Sequence, residues 1–149
     1  MSLLNKLKSL NYQKPISIAL ICGLLLIAIF VCFKIYSSLL TTKIDPEQYV
    51  IIGCAIILFY IIINVVTGFK VNDLVTFYGE SVYSYIGLTA FVIGSIWLFS
   101  SHSILAQEDH KWLIKLLSII YIVLLTILSS VKKIVGIALQ QEKKIRDEK

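Results

Sequence analysis

The sequence has few of the residues that keep a soluble protein in water. Charged residues make up only 15% of the 149 residues, hydrophobic residues make up 58%, and there is a single arginine, Arg146. The mean hydropathy is +0.86. A soluble chain of this length cannot bury so much apolar surface, so the sequence excludes an ordinary soluble domain and indicates a lipid environment.

Cysteine is also scarce. Cys22, Cys32 and Cys54 all lie in apolar runs, their number is odd, and no CxxC motif occurs. This pattern supports neither a disulfide framework nor a zinc site of the usual spacing. A bridge between Cys32 and Cys54 stays open, although free buried thiols are favoured.

Catalytic motifs and membrane-buried acids are missing too. The chain has no phosphate-binding loop and no nucleophile elbow, and no Asp or Glu lies inside an apolar run. The only histidines, His102 and His110, share a predicted loop with Glu108 and Asp109. A metal site or a pH sensor there is conceivable, but solvated loop residues are favoured. We therefore expect neither an enzyme nor a bound cofactor.

Four long apolar runs are present, and they determine the fold class. Each is close to the roughly 20 residues that a helix needs to cross a membrane. We predict an all-α integral membrane protein, a four-transmembrane-helix bundle with spans at about 15–36, 49–69, 82–105 and 112–131. Leu3, Leu7 and Leu10 share one helical face, which predicts an interfacial amphipathic helix over 1–14. Residues 132–149 form a predicted basic, cytoplasmic helical tail.

The distribution of lysines predicts the orientation. Four spans place both termini on one side, together with the connection that contains Lys70. Ten basic residues fall on that side: Lys6, Lys8, Lys14, Lys70, Lys132, Lys133, Lys143, Lys144, Arg146 and Lys149. The other side has four lysines and as many acids. The positive-inside rule then predicts cytoplasmic termini, beside a membrane that contains anionic lipids.

Some residues inside the spans are typical of helix packing or of a pore. Asn64 is the only strongly polar side chain of the second span, and Ala90 and Gly94 form a small-xxx-small pair near Gly87. Ser118 and Ser129 follow helical spacing on the fourth span, in a stripe with Lys115, Ile122 and Lys133. This stripe is interpreted as an inward-packing face or, in an oligomer, as the lining of a narrow passage.

The fourth run continues into the tail without a helix breaker. No proline occurs after Val131, and Gly136 is the only glycine. Val131, Ile134, Ala138 and Ile145 recur near heptad spacing. The tail therefore has three open roles: it joins copies of the chain, it docks a soluble partner, or it lies near anionic lipid. The residues predicted for docking or lipid contact are Lys132, Lys133, Lys143, Lys144 and Arg146.

In layout, with four spans, cytoplasmic termini and the 132–149 tail, the chain resembles the small membrane subunit of the bacterial phage-defence system called Kiwa. The resemblance implies an oligomer in a bacterial inner membrane that senses disturbance of the envelope and holds a soluble cytosolic partner. The chain itself is not expected to bind nucleic acid. Two alternatives remain, namely a small ion channel and a bacteriocin immunity protein.

Overall fold

The computed structural model describes residues 14–40, 45–71, 73–100 and 108–147, without the side chains of Leu74, Glu108 and Asp109. The predicted interfacial helix over 1–14 lies outside the described residues except for Lys14, and so does His102. Every regular element in the described ranges is an α-helix. The prediction of an all-helical chain is thereby confirmed.

There are four helices in the described part of the chain. They are α1 (Pro15–Leu40), α2 (Pro46–Gly68), α3 (Leu74–Ser100) and α4 (Glu108–Asp147). All four are long and apolar enough to cross a membrane. These are the features of a multi-pass membrane protein.

Polar residues fix where two of the helices begin. Asp45 is extended and is followed by Pro46 at the first turn of α2, a position where the missing N–H has no cost. Asp73 caps α3, because its Oδ1 accepts from the backbone N–H of Val75 at 3.2 Å and of Thr76 at 3.4 Å. The Thr76 hydroxyl donates to Asp73 Oδ2 at 2.7 Å. These bonds stabilise the carboxylate and lower the pKa of Asp73 from its ordinary value.

Each helix extends beyond its predicted span at one end: α1 continues to Leu40, α2 begins at Pro46, and the starts of α3 and α4 move earlier. Glu108, Asp109 and His110 are helical, so the prediction that they lie in a loop is wrong; acidic residues are favourable in the first turn of a helix.

The third span was predicted to start at 82, but α3 begins at Leu74, within the segment that had been assigned to a polar link. The Asp73 cap explains the earlier start. α4 is continuous over 40 residues, from Glu108 to Asp147, so the prediction of one long helix through 131 is confirmed.

Contacts between helix ends give the directions of the helices. Phe30, in the second half of α1, packs edge-on against Tyr49 at the start of α2, with ring centroids 5.1 Å apart. Phe30 also lies 5.4 Å from the ring of Phe99, near the end of α3. Therefore α2 runs antiparallel to α1, and α3 runs parallel to α1. Of the other three helices, α4 packs mainly against α2.

Two glycines of α2 allow its neighbours to approach closely. A Cβ atom at Gly53 would lie 2.7 Å from Ile96 Cδ1, and one at Gly68 would lie 2.4 Å from Leu128 Cδ2. Such contacts are far inside van der Waals distance, so a larger residue at either position would displace the side chains packed over it. Side chains of α3 pack closely over Gly53, and a side chain of α4 packs closely over Gly68.

Candidate functional site

A group of polar side chains, all buried except the half-buried Ser118, joins α2, α3 and α4, and we call it the tyrosine cluster. Its members are Tyr60, Asn64, Ser81, Tyr85, Ser118 and Tyr121. Tyr60, Asn64 and Ser81 are completely buried. A buried polar group requires a hydrogen-bond partner, and in an apolar environment that partner must come from another helix or from the same helix.

Hydrogen bonds and ring contacts hold this cluster together. Asn64 Nδ2 donates to the Tyr121 hydroxyl at 2.8 Å, which ties α2 to α4. The Tyr60 hydroxyl donates to the backbone carbonyl of Ser81 at 3.2 Å, which ties α2 to α3. The Tyr85 and Ser118 hydroxyls lie 3.0 Å apart and share a hydrogen bond. The rings of Tyr85 and Tyr121 stack with centroids 4.5 Å apart.

The network is not fully paired. Asn64 Oδ1 and Ser81 Oγ are buried and have no hydrogen-bond partner in the described part of the chain. An unpaired buried group typically costs about 1–3 kcal/mol. All six members of the cluster are neutral amide, hydroxyl or phenol side chains. The hydrogen bonds and the ring stacking between these side chains fix the rotation of α4 against α2 and α3.

A second set of contacts holds α4 near the end of α2. Leu128 is completely buried and lies over Gly68. The Tyr78 hydroxyl donates to the Leu125 carbonyl at 2.9 Å. Lys132 Nζ donates to the carbonyl of Val71, in the connection between α2 and α3. These contacts are the last that α4 makes with the other described helices.

Beyond them α4 continues alone, and we call residues 133–147 the α4 extension. Every residue from Lys133 to Asp147 is exposed. A helix of 40 residues is about 60 Å long, twice the roughly 30 Å of hydrocarbon in a bilayer. The extension therefore projects well past the other helices. It exposes five large apolar side chains: Ile134, Val135, Ile137, Leu139 and Ile145.

The five basic residues predicted for docking differ in their surroundings. Lys132 is half-buried and bonded to Val71, so it anchors α4 to its neighbours. Lys133, Lys143 and Lys144 are exposed. Arg146 is exposed and pairs with Glu142 one turn earlier, at 3.3 Å. An exposed pair of this kind contributes little to stability, so its charges remain accessible to a partner.

The residues predicted for helix packing or for a pore also differ in their surroundings. Asn64 lies in the tyrosine cluster, and Ser118 binds both Tyr85 and the Ile114 carbonyl. Ser129 is half-buried. The stripe as a whole is not the packing face, because Lys115, Ile122 and Lys133 are exposed. The face of α4 that packs inward contains Leu117, Tyr121, Leu125 and Leu128.

Gly87 and Gly94 do not support close packing within the chain. Both are exposed, and a Cβ atom at either would meet no other atom within 4 Å. Sequence reasoning missed Gly53 and Gly68, which do permit such packing. It also missed Tyr60, which lies four residues before Asn64 and hence on the same helical face. The four-residue spacing to Asn64 could have identified Tyr60 from the sequence.

The remaining sequence hypotheses concern thiols and metals. Cys22, Cys32 and Cys54 are free, and Cys32 is exposed on α1. His110 is half-buried in the first turn of α4. Among the side chains that the structure describes, no group of three or more His, Cys, Asp or Glu residues is placed to hold a metal ion.

Comparison with known proteins gives no further assignment. No family model matches the chain, and neither the curated proteins nor the solved structures contain a significant match to it.

Proposed function

We propose that this chain is a non-enzymatic membrane subunit that assembles into a homo-oligomer and holds a soluble cytosolic protein through the α4 extension. In this proposal the termini are cytoplasmic and the membrane is a bacterial inner membrane. The helices within the lipid position the extension. In this proposal the whole assembly couples the state of the membrane or envelope to the bound protein, as part of antiphage defence.

One observation carries the proposal, namely the exposure of apolar side chains on a helix that has left its neighbours. Ile134 and Ile145 are 67% and 61% exposed. They share a strip with Val131 and Ala138 near heptad spacing. A solvated helix that binds nothing needs no such strip. An amphipathic helix that lays apolar anchors into a groove of another protein does need one.

Charge supports the choice of a protein partner that is acidic at its contact surface. Lys144 and Arg146 are exposed on the two flanks of the apolar strip, about 90–110° from its centre, whereas Lys143 lies on the opposite side of the helix. Cations next to apolar anchors favour a partner with a complementary negative rim, because such pairs accelerate association and select the orientation. The same cations also favour contact with the anionic surface of the membrane, so docking to a protein must be distinguished from binding to lipid by a direct test.

The test compares two single substitutions that add the same charge to the same exposed helix. Ala138→Glu places a carboxylate in the apolar strip, whereas Gln140→Glu places it about 200° away around the helix. Each full-length variant is purified in mild detergent beside the wild type. Soluble proteins retained in fixed proportion to the chain are then identified by mass spectrometry, and the oligomer mass is measured by light scattering.

We expect the wild type and Gln140→Glu to retain the same soluble protein, and Ala138→Glu to lose it. A loss with both substitutions, or with neither, contradicts docking through the strip. If Ala138→Glu changes only the oligomer mass, the strip joins copies of the chain and the docking proposal is wrong.

A further inference from the structure

A second feature, far from the α4 extension, is an apolar groove between α1 and α3. Its volume is about 610 Å³. Ile16, Leu20 and Leu24 form one wall, and Leu88 and Phe91 form the other. Leu20 and Leu24 are more than half exposed, so the groove opens on the outer surface of the packed helices. Gly87 leaves it open, because no atom lies within 4 Å of where its Cβ would be.

The length and position of the groove match one half of a bilayer. On α1 its lining residues run from Ile16, at the start of the helix, to Ile27. At 1.5 Å per residue this is about 16 Å, half of the roughly 30 Å hydrocarbon thickness. The groove therefore reaches from one membrane surface to the midplane. A single acyl chain of one leaflet spans the same distance.

Side chains of both charges stand at the surface end of the groove. Lys14 is exposed and immediately precedes α1, two residues before Ile16. Glu80 lies one turn before Ser84, which lines the groove and donates its hydroxyl to the Glu80 carbonyl. No ion pair joins Lys14 to Glu80 within the described ranges. Tyr83, 79% exposed at the same end, is an aromatic residue of the kind found at membrane interfaces.

We propose that this groove is a binding site for one phospholipid whose head group carries an ammonium beside its phosphate. One acyl chain occupies the groove over Gly87. The Lys14 ammonium attracts the phosphate, and the Glu80 carboxylate attracts the head-group ammonium. A purely anionic head group meets the same lysine but is repelled by Glu80. This site is independent of the proposed docking of a soluble protein.

The experiment uses full-length protein, washed free of lipid in detergent and analysed by native mass spectrometry. Phosphatidylethanolamine and phosphatidylglycerol with identical acyl chains are added separately. Gly87→Leu fills the groove. Gly94→Leu is the matched control, because Gly94 is an equally open glycine on the same helix that does not line the groove. Thermal unfolding of both variants verifies that they remain folded.

The expected result is one tightly bound phosphatidylethanolamine per chain in the wild type and in Gly94→Leu. Gly87→Leu weakens that binding roughly tenfold or more. Glu80→Gln leaves the groove intact and shifts the preference toward phosphatidylglycerol, which tests the site even if Gly87→Leu unfolds. Equal binding by the two leucine variants overturns the proposal, and so does equal binding of the two lipids by the wild type. A wild-type dimer that Gly87→Leu dissociates shows that a second copy fills the groove instead.

Discussion

The two halves of α4 are one continuous helix in two different surroundings. Up to Val131 one face is buried, with Leu117, Tyr121, Leu125 and Leu128 against the other helices. From 133 to 147 every residue is exposed. Leucine occurs in both halves, since Leu128 is completely buried and Leu139 is 57% exposed. Hydrophobicity alone therefore does not say which half packs.

The neighbouring helices explain the difference. α2 ends at Gly68 and α3 begins at Leu74, so the connection between them marks the level at which α4 loses its neighbours. Lys132 binds Val71 at that level. Past it there is no described element for α4 to pack against. The first half of α4 therefore has a structural role, while the second half has no stabilising contacts of its own with the other helices.

The largest effect on stability is expected from truncating the same residue type in the two halves. Leu128→Ala leaves a cavity beside Gly68 and lowers the free energy of unfolding by about 2 kcal/mol. Leu139→Ala changes it by less than about 0.5 kcal/mol, because its side chain is already exposed. Denaturant unfolding in detergent micelles measures both. Equal losses contradict the division of α4 into two halves.

A smaller effect is expected from the hydrogen bond that fixes the rotation of α4. In a double-mutant cycle, Asn64→Leu and Tyr121→Phe should couple by about 0.6–1.7 kcal/mol, the range of polar contacts between membrane helices. Thr126→Val is the control partner for Asn64→Leu. The Thr126 hydroxyl donates only to the Ile122 carbonyl of its own helix, so the coupling there should be zero. Coupling of similar size in both cycles means that Asn64 does not act through Tyr121.

The smallest effect concerns two adjacent lysines at the boundary. Lys132→Ala removes the contact with Val71 and lowers the free energy of unfolding by about 0.5–1.5 kcal/mol. Lys133→Ala should leave it unchanged, since Lys133 is exposed. Hydrogen exchange at the backbone N–H of Lys70, which donates to the Thr67 carbonyl, should accelerate only in Lys132→Ala. If exchange accelerates equally in both variants, Lys132 is not the anchor.

The sequence predicted the elements of this fold better than their contacts. Apolar length gave the four helices, and the absence of proline after Val131 gave the continuity of α4. The start of α3 was missed because Thr76, Tyr78 and Glu80 make its first turns look like a polar link. The Asp73 cap turns that segment into helix.

The partners of the polar residues could not be predicted, for a geometric reason. Asn64 and Tyr121 are 57 residues apart, and whether they meet depends on how α2 and α4 are rotated about their axes. Gly87 and Gly53 are both small residues in apolar helices. Only Gly53 faces a neighbour, because helix rotation and not composition decides which glycine is covered.

The central claim is that α4 divides into a half that packs and a half that serves a partner. The most direct measurement compares the full-length chain with a chain that ends at Lys133. Both are solubilised from the same membranes and analysed for unfolding temperature and for retained soluble protein. We predict that the shortened chain inserts and unfolds like the full chain but retains no soluble partner. If it retains the same partner in the same amount, or fails to insert, the claim is wrong.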